Sequence, residues 1–431
     1  MREMKDSGIE WIGEIPATWE CLHLKYLCTF KTGGTPNGKK GIDFEGDYPW
    51  ITPQDIQESF DIEKYTQYIS KESLRSSNFV LFPRETVLLV CIASVGKVGI
   101  INTPAYANQQ ITALKANDSV LPRFLGYIVS AGSTQMAFDA SSNVIPIINT
   151  KYLQNFSVAC PPLSEQKNIV TFLDSQCTEI DAISADIQKE IETLEQYKRS
   201  VITEAVTKGL NPDVEMKDSG VQWIGKIPLK WNVSPLKYNY RIVAGATPDS
   251  TNQEYWDGNI TWITPADYKT NDIFVCDSSR KITEKGMLSC STTLLPEGSI
   301  VFSKRAPIGS VAITGCELCT NQGCIGLVPK NEFVNNKYFY YILSIYSDVF
   351  NLFGSGTTFK EISATTFASV KLPLPNIMLQ NEIVAFLDPK CNEINLSITN
   401  KRRQIEILDS YKKSLIYEYV TGKKEVPMYE S

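Results

Sequence analysis

Histidine is nearly missing from this chain: one residue, His23, among 431. Catalysis by paired imidazoles, and zinc sites built on them, therefore have no material to work with. Long apolar runs are missing as well. No window holds eighteen uninterrupted apolar residues and the N-terminus is charged, so neither a membrane span nor a signal peptide is expected. Positive charge is in deficit, with 42 Lys and Arg against 48 Asp and Glu and a net charge of −6. By segment the net charge is −2 for residues 1–157, −6 for 158–215, +2 for 216–373 and 0 for 374–431. Tight nucleic-acid binding by phosphate neutralisation alone is thereby excluded. Two catalytic signatures are lacking too. There is no Asn/Asp-Pro-Pro-aromatic stretch of the kind amino-methyltransferases use, and no carboxylate cluster followed by Glu-x-Lys at nuclease spacing. Pro212-Asp213 with Glu215-Met216-Lys217 imitates the second, but its carboxylates lie too close together. The chain is expected to perform no chemistry. Cysteine, by contrast, is plentiful at eleven; the number is odd and the positions ignore the repeat described next. Reduced core thiols in a cytoplasm are the expectation.

What is present is a duplication. Residues 4–20 and 216–232 agree at eleven of seventeen positions, 212 residues apart. Gly33-Gly34-Thr35-Pro36 returns as Gly245-Ala246-Thr247-Pro248, and Trp50-Ile51-Thr52-Pro53 as Trp262-Ile263-Thr264-Pro265. Asn108-Gln109 returns as Asn321-Gln322, and Gln166, Ile169, Phe172, Leu173 and Asp174 return 214 residues on. The stretches from Tyr197 and Tyr411 agree at seven of eleven positions, so both copies share one fold. The chain stops near Thr421-Gly422-Lys423, where a third copy would begin.

Each copy reads as a compact α+β module followed by a long helix. Short β-type runs punctuated by Gly and Pro fill about the first 160 residues, with one helical stretch near residues 124–136 and one near 337–353. Residues 164–207 then contain neither Pro nor Gly. At 1.5 Å per residue that helix is on the order of 60 Å long. The expected seam is Ile180, Ile183, Ile187, Ile191 and Leu194 against Ile394, Ile398, Ile405, Leu408 and Leu415, with Pro389 kinking or delaying the second helix. No single module could bury so long a stripe, so the two helices are expected to pair antiparallel with a module at each end. The expected boundaries are 1–160 for the first module, 161–208 for its helix and 209–215 for a linker. The second module then spans 216–374, its helix 375–423 and a tail 424–431.

Several stretches look chemical. Residues 33–40 satisfy seven positions of a phosphate-binding loop, but Lys40 stands where Ser or Thr would hold magnesium, and the second copy has no Lys there. A polar surface loop is expected instead. Cys316, Cys319 and Cys324 resemble half a zinc site without a fourth ligand, and buried thiols on a strand pair fit them better. The polar loops ask a different question, because their framework repeats while their side chains diverge. Candidate DNA contacts in the first copy are Lys31, Thr35, Asn37, Lys39, Lys40, Lys97, Asn108 and Gln109. In the second they are Thr247, Ser250, Asn252, Lys304, Arg305, Asn321, Gln322, Thr358 and Lys360. Asn and Gln can pair with adenine, and Lys and Arg with guanine or phosphate, so the divergence could encode two base sequences. The competing reading is that these are unselected surface loops.

Taken together, the doubled DSGxxWIGxIPxxW openings at 6–19 and 218–231, the Gly-x-Thr-Pro turns, the Trp-Ile-Thr-Pro islands and Pro-Pro-Leu-Ser-Glu-Gln at 161–166 resemble the specificity subunit of type I restriction–modification systems. The resemblance covers nearly the whole chain. It implies an α+β protein of two tandem target-recognition modules, separated by two long helices in an antiparallel coiled coil, with pseudo-two-fold symmetry overall. Each module would read one half of a bipartite, asymmetric site in double-stranded DNA. The helices would set the spacing and dock two methyltransferase subunits. Those bind S-adenosylmethionine and methylate adenine at N6, and a restriction subunit using ATP and Mg cleaves unmethylated DNA, so no cofactor is expected in this chain. Two half-sites about 34–36 Å apart would leave roughly five to eight unread base pairs between them. Near-neutral modules would then borrow much of their affinity from a basic partner. Residues 375–380 depart from the family pattern at the start of the second helix. A self-contained DNA-modifying enzyme and a duplicated scaffold that binds something other than DNA remain the alternatives.

Overall fold

In the computed structural model the described residues are 2–35, 46–57, 60–75, 79–140, 145–268, 272–305, 308–354 and 360–427. The chain divides into two units, residues 1–187 with 403–431, and residues 188–402. Both divisions fall inside the long helices, Leu163–Lys208 and Ile377–Val420. Each unit therefore holds one module, the start of that module's own helix and the closing turns of the other copy's helix.

The repeated opening motif folds as a hairpin. Met4–Asp6 pairs antiparallel with Glu14–Pro16, and Met216–Asp218 with Lys226–Pro228. Asp6 accepts from the Gly8 amide at 2.9 Å and Asp218 from the Gly220 amide at 2.8 Å. Both glycines sit at positive φ, 67° and 71°, which any other side chain would resist. Trp19 and Trp231, which close the motif, are buried.

A five-stranded sheet forms the centre of each unit. In the first its order is Cys28–Thr32, Ile111–Ala116, Val87–Val90, Val98–Ile101, Asp61–Ile62. In the second it is Tyr240–Ala244, Cys324–Pro329, Ile300–Ser303, Val311–Thr314, Phe274–Val275. Only the last pair in each sheet is parallel. Val87–Val90 and Ile300–Ser303 are buried at every residue, as central strands covered on both faces should be. The helical stretch expected near 124–136 is two helices, Pro122–Ala131 and Ser133–Ala140, and that near 337–353 is also two, Asn336–Ile345 and Ser347–Phe353. Gly132 interrupts the first pair: an ideal Cβ there would come within 2.8 Å of the Phe156 ring.

Two anchors fix each long helix to its module, and both recur. Gln166 and Gln380 are fully buried. Their Oε1 atoms accept from the Leu121 and Asn335 amides at 2.8 Å, and their Nε2 groups donate to the Pro161 and Pro375 carbonyls at 2.9 and 2.8 Å. Asp174 accepts from Arg123 and the Tyr127 hydroxyl, and Asp388 from Lys337 and the Tyr341 hydroxyl. These bonds account for the return of Gln and Asp at a spacing of 214.

The long helices run antiparallel inside each unit. In the first, Phe172 packs on Tyr419 with ring centroids 4.5 Å apart, and Asp181 pairs with Lys412 at 2.5 Å. In the second, Lys198 donates to Asn395 at 2.7 Å, Arg402 pairs with Glu195 at 2.9 Å and Lys401 pairs with Glu190. Pro389 does not delay the second helix, which begins at Ile377 and runs through it. Of the expected seam, Ile183 is corrected: it is 44% exposed. Burial instead follows alternating steps of four and three through Leu173, Cys177, Ile180, Ser184 and Ile187, then Ile191, Leu194, Lys198, Val201 and Ala205. On the second helix the matching positions are Cys391, Ile394, Ile398 and Lys401, then Ile405, Leu408, Lys412, Leu415 and Tyr419. A 3.5-residue repeat is what a coiled-coil seam requires, so geometry places Ser184 inward and turns its apolar neighbour out.

Candidate nucleic-acid interface

Strand direction brings the candidate loops together. In the first unit Cys28–Thr32 and Val87–Val90 end, and Val98–Ile101 and Ile111–Ala116 begin, at the same end of the antiparallel sheet. The corresponding end in the second unit is formed where Tyr240–Ala244 and Ile300–Ser303 stop and Val311–Thr314 and Cys324–Pro329 start. Lys31, Thr35, Lys97, Asn108 and Gln109 all belong to the first of these ends, and Thr247, Lys304, Arg305, Asn321 and Gln322 to the second.

Close backbone contact locks the loops. The Gly33 and Gly34 amides donate to the Ile111 and Ala107 carbonyls, both at 2.9 Å. A Cβ on Gly33 would lie 2.2 Å from the Asn108 carbonyl oxygen, and one on Gly245 would lie 2.1 Å from that of Asn321. Only glycine permits this approach. The Asn108 amide in turn donates to Ile51 and the Asn321 amide to Ile263, both at 2.9 Å. Behind them Asp55 accepts from the Thr52 amide and hydroxyl at 2.8 Å, and Asp267 from those of Thr264 at 2.7 and 2.8 Å. These bonds, together with one from the Ser279 amide, hold the Asp267 carboxyl below its ordinary range against the opposing effect of its burial. The Trp-Ile-Thr-Pro islands are thus the footing of the loops.

The result is one exposed pair per unit: the Thr35 hydroxyl donates to Gln109 Oε1, and the Thr247 hydroxyl to Gln322 Oε1. Around that shared pair the candidates take different positions. Lys31 and Lys97 are exposed. Asn108 is buried, with its Oδ1 accepting from the Gln110 amide at 3.0 Å, and Asn321 accepts from the Gly323 amide at 2.9 Å. Both asparagines hold the turn; Asn108 is withdrawn from solvent, while Asn321 is half-buried. Lys304 and Arg305 share Glu361, at 2.7 and 2.8 Å. That contact lowers the Glu361 carboxyl, first through the hydrogen bond from Lys304, against a weaker desolvation. Ser250 and Lys360 are exposed, while Asn252 caps a short turn by accepting from the Glu254 amide at 3.1 Å. Asn37, Lys39, Lys40 and Thr358 lie outside the described residues, as does most of the phosphate-loop-like stretch. The next described element after Thr35 is the strand Tyr48–Ile51. Sequence reasoning missed Glu361, whose signal was its position one residue after the candidate Lys360.

The remaining chemical candidates make structural contacts, except that Cys316, expected among the buried thiols of a strand pair, is only half-buried and lies in a bend outside the strands. His23 bonds the Ser157 hydroxyl at 2.9 Å across the strand pair that closes the first module. Cys319 and Cys324 are buried on adjoining strands, and burial pushes their thiols up to about 11 and about 12, which keeps them protonated. Among the described residues no three His, Cys, Asp or Glu side chains group as metal ligands, and no helix is long and apolar enough to cross a membrane.

Comparison with known proteins agrees with this architecture. The family model for the type I restriction modification DNA specificity domain matches residues 16–193 and again 228–407. The chain is similar to the type I restriction enzyme MjaIX specificity subunit of Methanocaldococcus jannaschii, at 37% identity over 189 residues, 43% of each chain. It is also similar to the MjaX specificity subunit of the same organism, a putative one, at 27% identity over 96% of each chain. A chain from a solved type I R-M system, studied for complex assembly and conformational transition, has the same fold: TM-score 0.67 at 16% identity, covering 95% of this chain and 99% of that one.

Proposed function

Because this chain belongs to the family of type I restriction modification DNA specificity domains, we propose that each of its units reads one half of a bipartite, asymmetric DNA site. The chain is the sequence-recognising subunit of such a system. The loop end of the five-stranded sheet faces the duplex in both units. One observation carries the reading: a common, glycine-locked framework presents unlike side chains at equivalent places. Lys97 in one unit stands where Ser310 stands in the other, and Cys91-Ile92 where Lys304-Arg305 stand. Loops that share backbone but differ in side chain suit two different sequences in one duplex.

Bond-making belongs to partners. Two methyltransferase subunits dock along the helical region, bind S-adenosylmethionine and methylate adenine at N6, and a restriction subunit with ATP and Mg cleaves unmethylated sites. The relatives' names, and the assembly studied in the similar solved structure, support such partners. Double-stranded DNA as the ligand puts the work in the cytoplasm. Near-neutral modules suit this division, since most of the phosphate attraction then comes from the partner subunits. Co-expression of this chain with its cognate methyltransferase is expected to place N6-methyladenine in a split motif. Methylation in a continuous motif, or none, would overturn the reading.

A further inference from the structure

We infer that the Thr–Gln pair of each unit grips the sugar–phosphate backbone in the same way on both half-sites, and does not read a base; this rests on the DNA-reading role proposed above. Among the described residues the pair is an exposed polar feature that the two loop ends share. Beside it the side chains diverge: Gly34 becomes Ala246 and Lys97 becomes Ser310. A contact made identically by both units cannot tell two unlike half-sites apart. What unlike half-sites share along their whole length is the backbone; the one base both must offer is the adenine to be methylated, and a glutamine that read it would betray itself by a motif relaxed at that base when removed.

Geometry supplies the means. Gly33 and Gly245 let one loop settle on the next, so that the threonine hydroxyl donates to the glutamine Oε1. This fixes the amide plane and turns Nε2, with its two N–H donors, away from the threonine. A neutral donor pair suits a phosphate oxygen and adds nothing to the charge of the module. The two side chains are exposed, so their mutual bond contributes little to folding. Preorganising a donor for a ligand is the better account of so constrained an arrangement.

The test uses the purified complex of the full chain with its cognate methyltransferase subunits, and DNA carrying the motif methylated in the native strain. Gln109→Ala and Gln322→Ala should each weaken binding about tenfold, with similar losses from either unit. The slope of log Kd against log salt should not change, because no charge is removed. The methylated motif should stay as in wild type. Gln109→Glu should weaken binding further than Gln109→Ala, since a carboxylate would face phosphate. Unchanged thermal melting and subunit assembly would show the variants folded. A motif relaxed at one base in the half read by the altered unit would overturn the inference in favour of a base contact. Wild-type affinity in the Ala variants would reduce the pair to an internal clamp, leaving the recognition role standing. A wild-type complex that protects no bipartite site would remove that role, and this inference with it.

Discussion

Two neighbouring glycines should respond in opposite ways to one methyl group. A Cβ on Gly33 would lie 2.2 and 2.4 Å from the carbonyl oxygens of Asn108 and Ala107, whereas one on Gly34 meets only the Phe79 ring at 3.5 Å. The second copy already carries Ala246 at the position of Gly34. Relieving the Gly33 clash requires a displacement of about 1 Å, which strains the Gly33–Ile111 and Gly34–Ala107 bonds, both 2.9 Å. Two backbone bonds at about 1 kcal/mol each put the local loss near 2 kcal/mol, a factor of roughly thirty in the population of the locked loop. A folded unit with about 5–15 kcal/mol of stability survives that. Gly33→Ala should therefore lower affinity for the bipartite site by about thirtyfold while shifting Tm by only a few degrees. Gly34→Ala should match wild type in both. The assay is a binding titration of the methyltransferase complex beside a thermal melt of each variant. Equal affinity for the two variants would refute the claim that backbone approach at Gly33 sets the recognition loop.

Other outcomes follow from contacts elsewhere. Glu361→Gln releases Lys304 and Arg305 from their shared carboxylate, so the salt slope of DNA binding should steepen by up to about 1.8 as two cations become free for phosphate; an unchanged slope would show that they do not reach DNA. Because the folded state lowers the Glu361 carboxyl, the stability it contributes is fully present above the ordinary glutamate range and is lost as pH falls through the depressed value. Hydrogen exchange at the Ile362 amide, which donates to Lys304 at 3.0 Å, should accelerate relative to the Glu361→Gln variant only at acid pH. Gln380→Leu leaves the Asn335 amide and the Pro375 carbonyl without their partner and should cost about 2–4 kcal/mol in chemical denaturation, against less than 1 for a surface glutamine such as Gln253. Ile398→Asp buries a carboxylate at a seam position now 4% exposed; it should unfold the helical pairing and abolish methyltransferase assembly, while Ile183→Asp on the exposed face should leave the helical pairing and the thermal melt of the chain intact.

The duplication made much of this protein legible in one dimension. Two copies with matched spacing dictate one fold used twice, and the Pro-free, Gly-free stretch dictates a long helix, because both follow from local backbone chemistry. Repeat arithmetic also picked out the loops proposed to meet DNA, because it marks a fixed framework with varying side chains. Tertiary structure decided which of those side chains are available. Asn108 looks like an adenine reader in sequence, but its carbonyl oxygen is used on the Gln110 amide, and Lys304 and Arg305 look like free cations until Glu361 arrives from 56 residues away. The seam shows the same division. Hydrophobicity nominated Ile183, whereas the 3.5-residue turn of paired helices placed Ser184 inside, since burial on a helix is set by angle and not by side-chain type. Sequence specifies what each segment can form; partners distant in sequence specify which of its groups are already engaged.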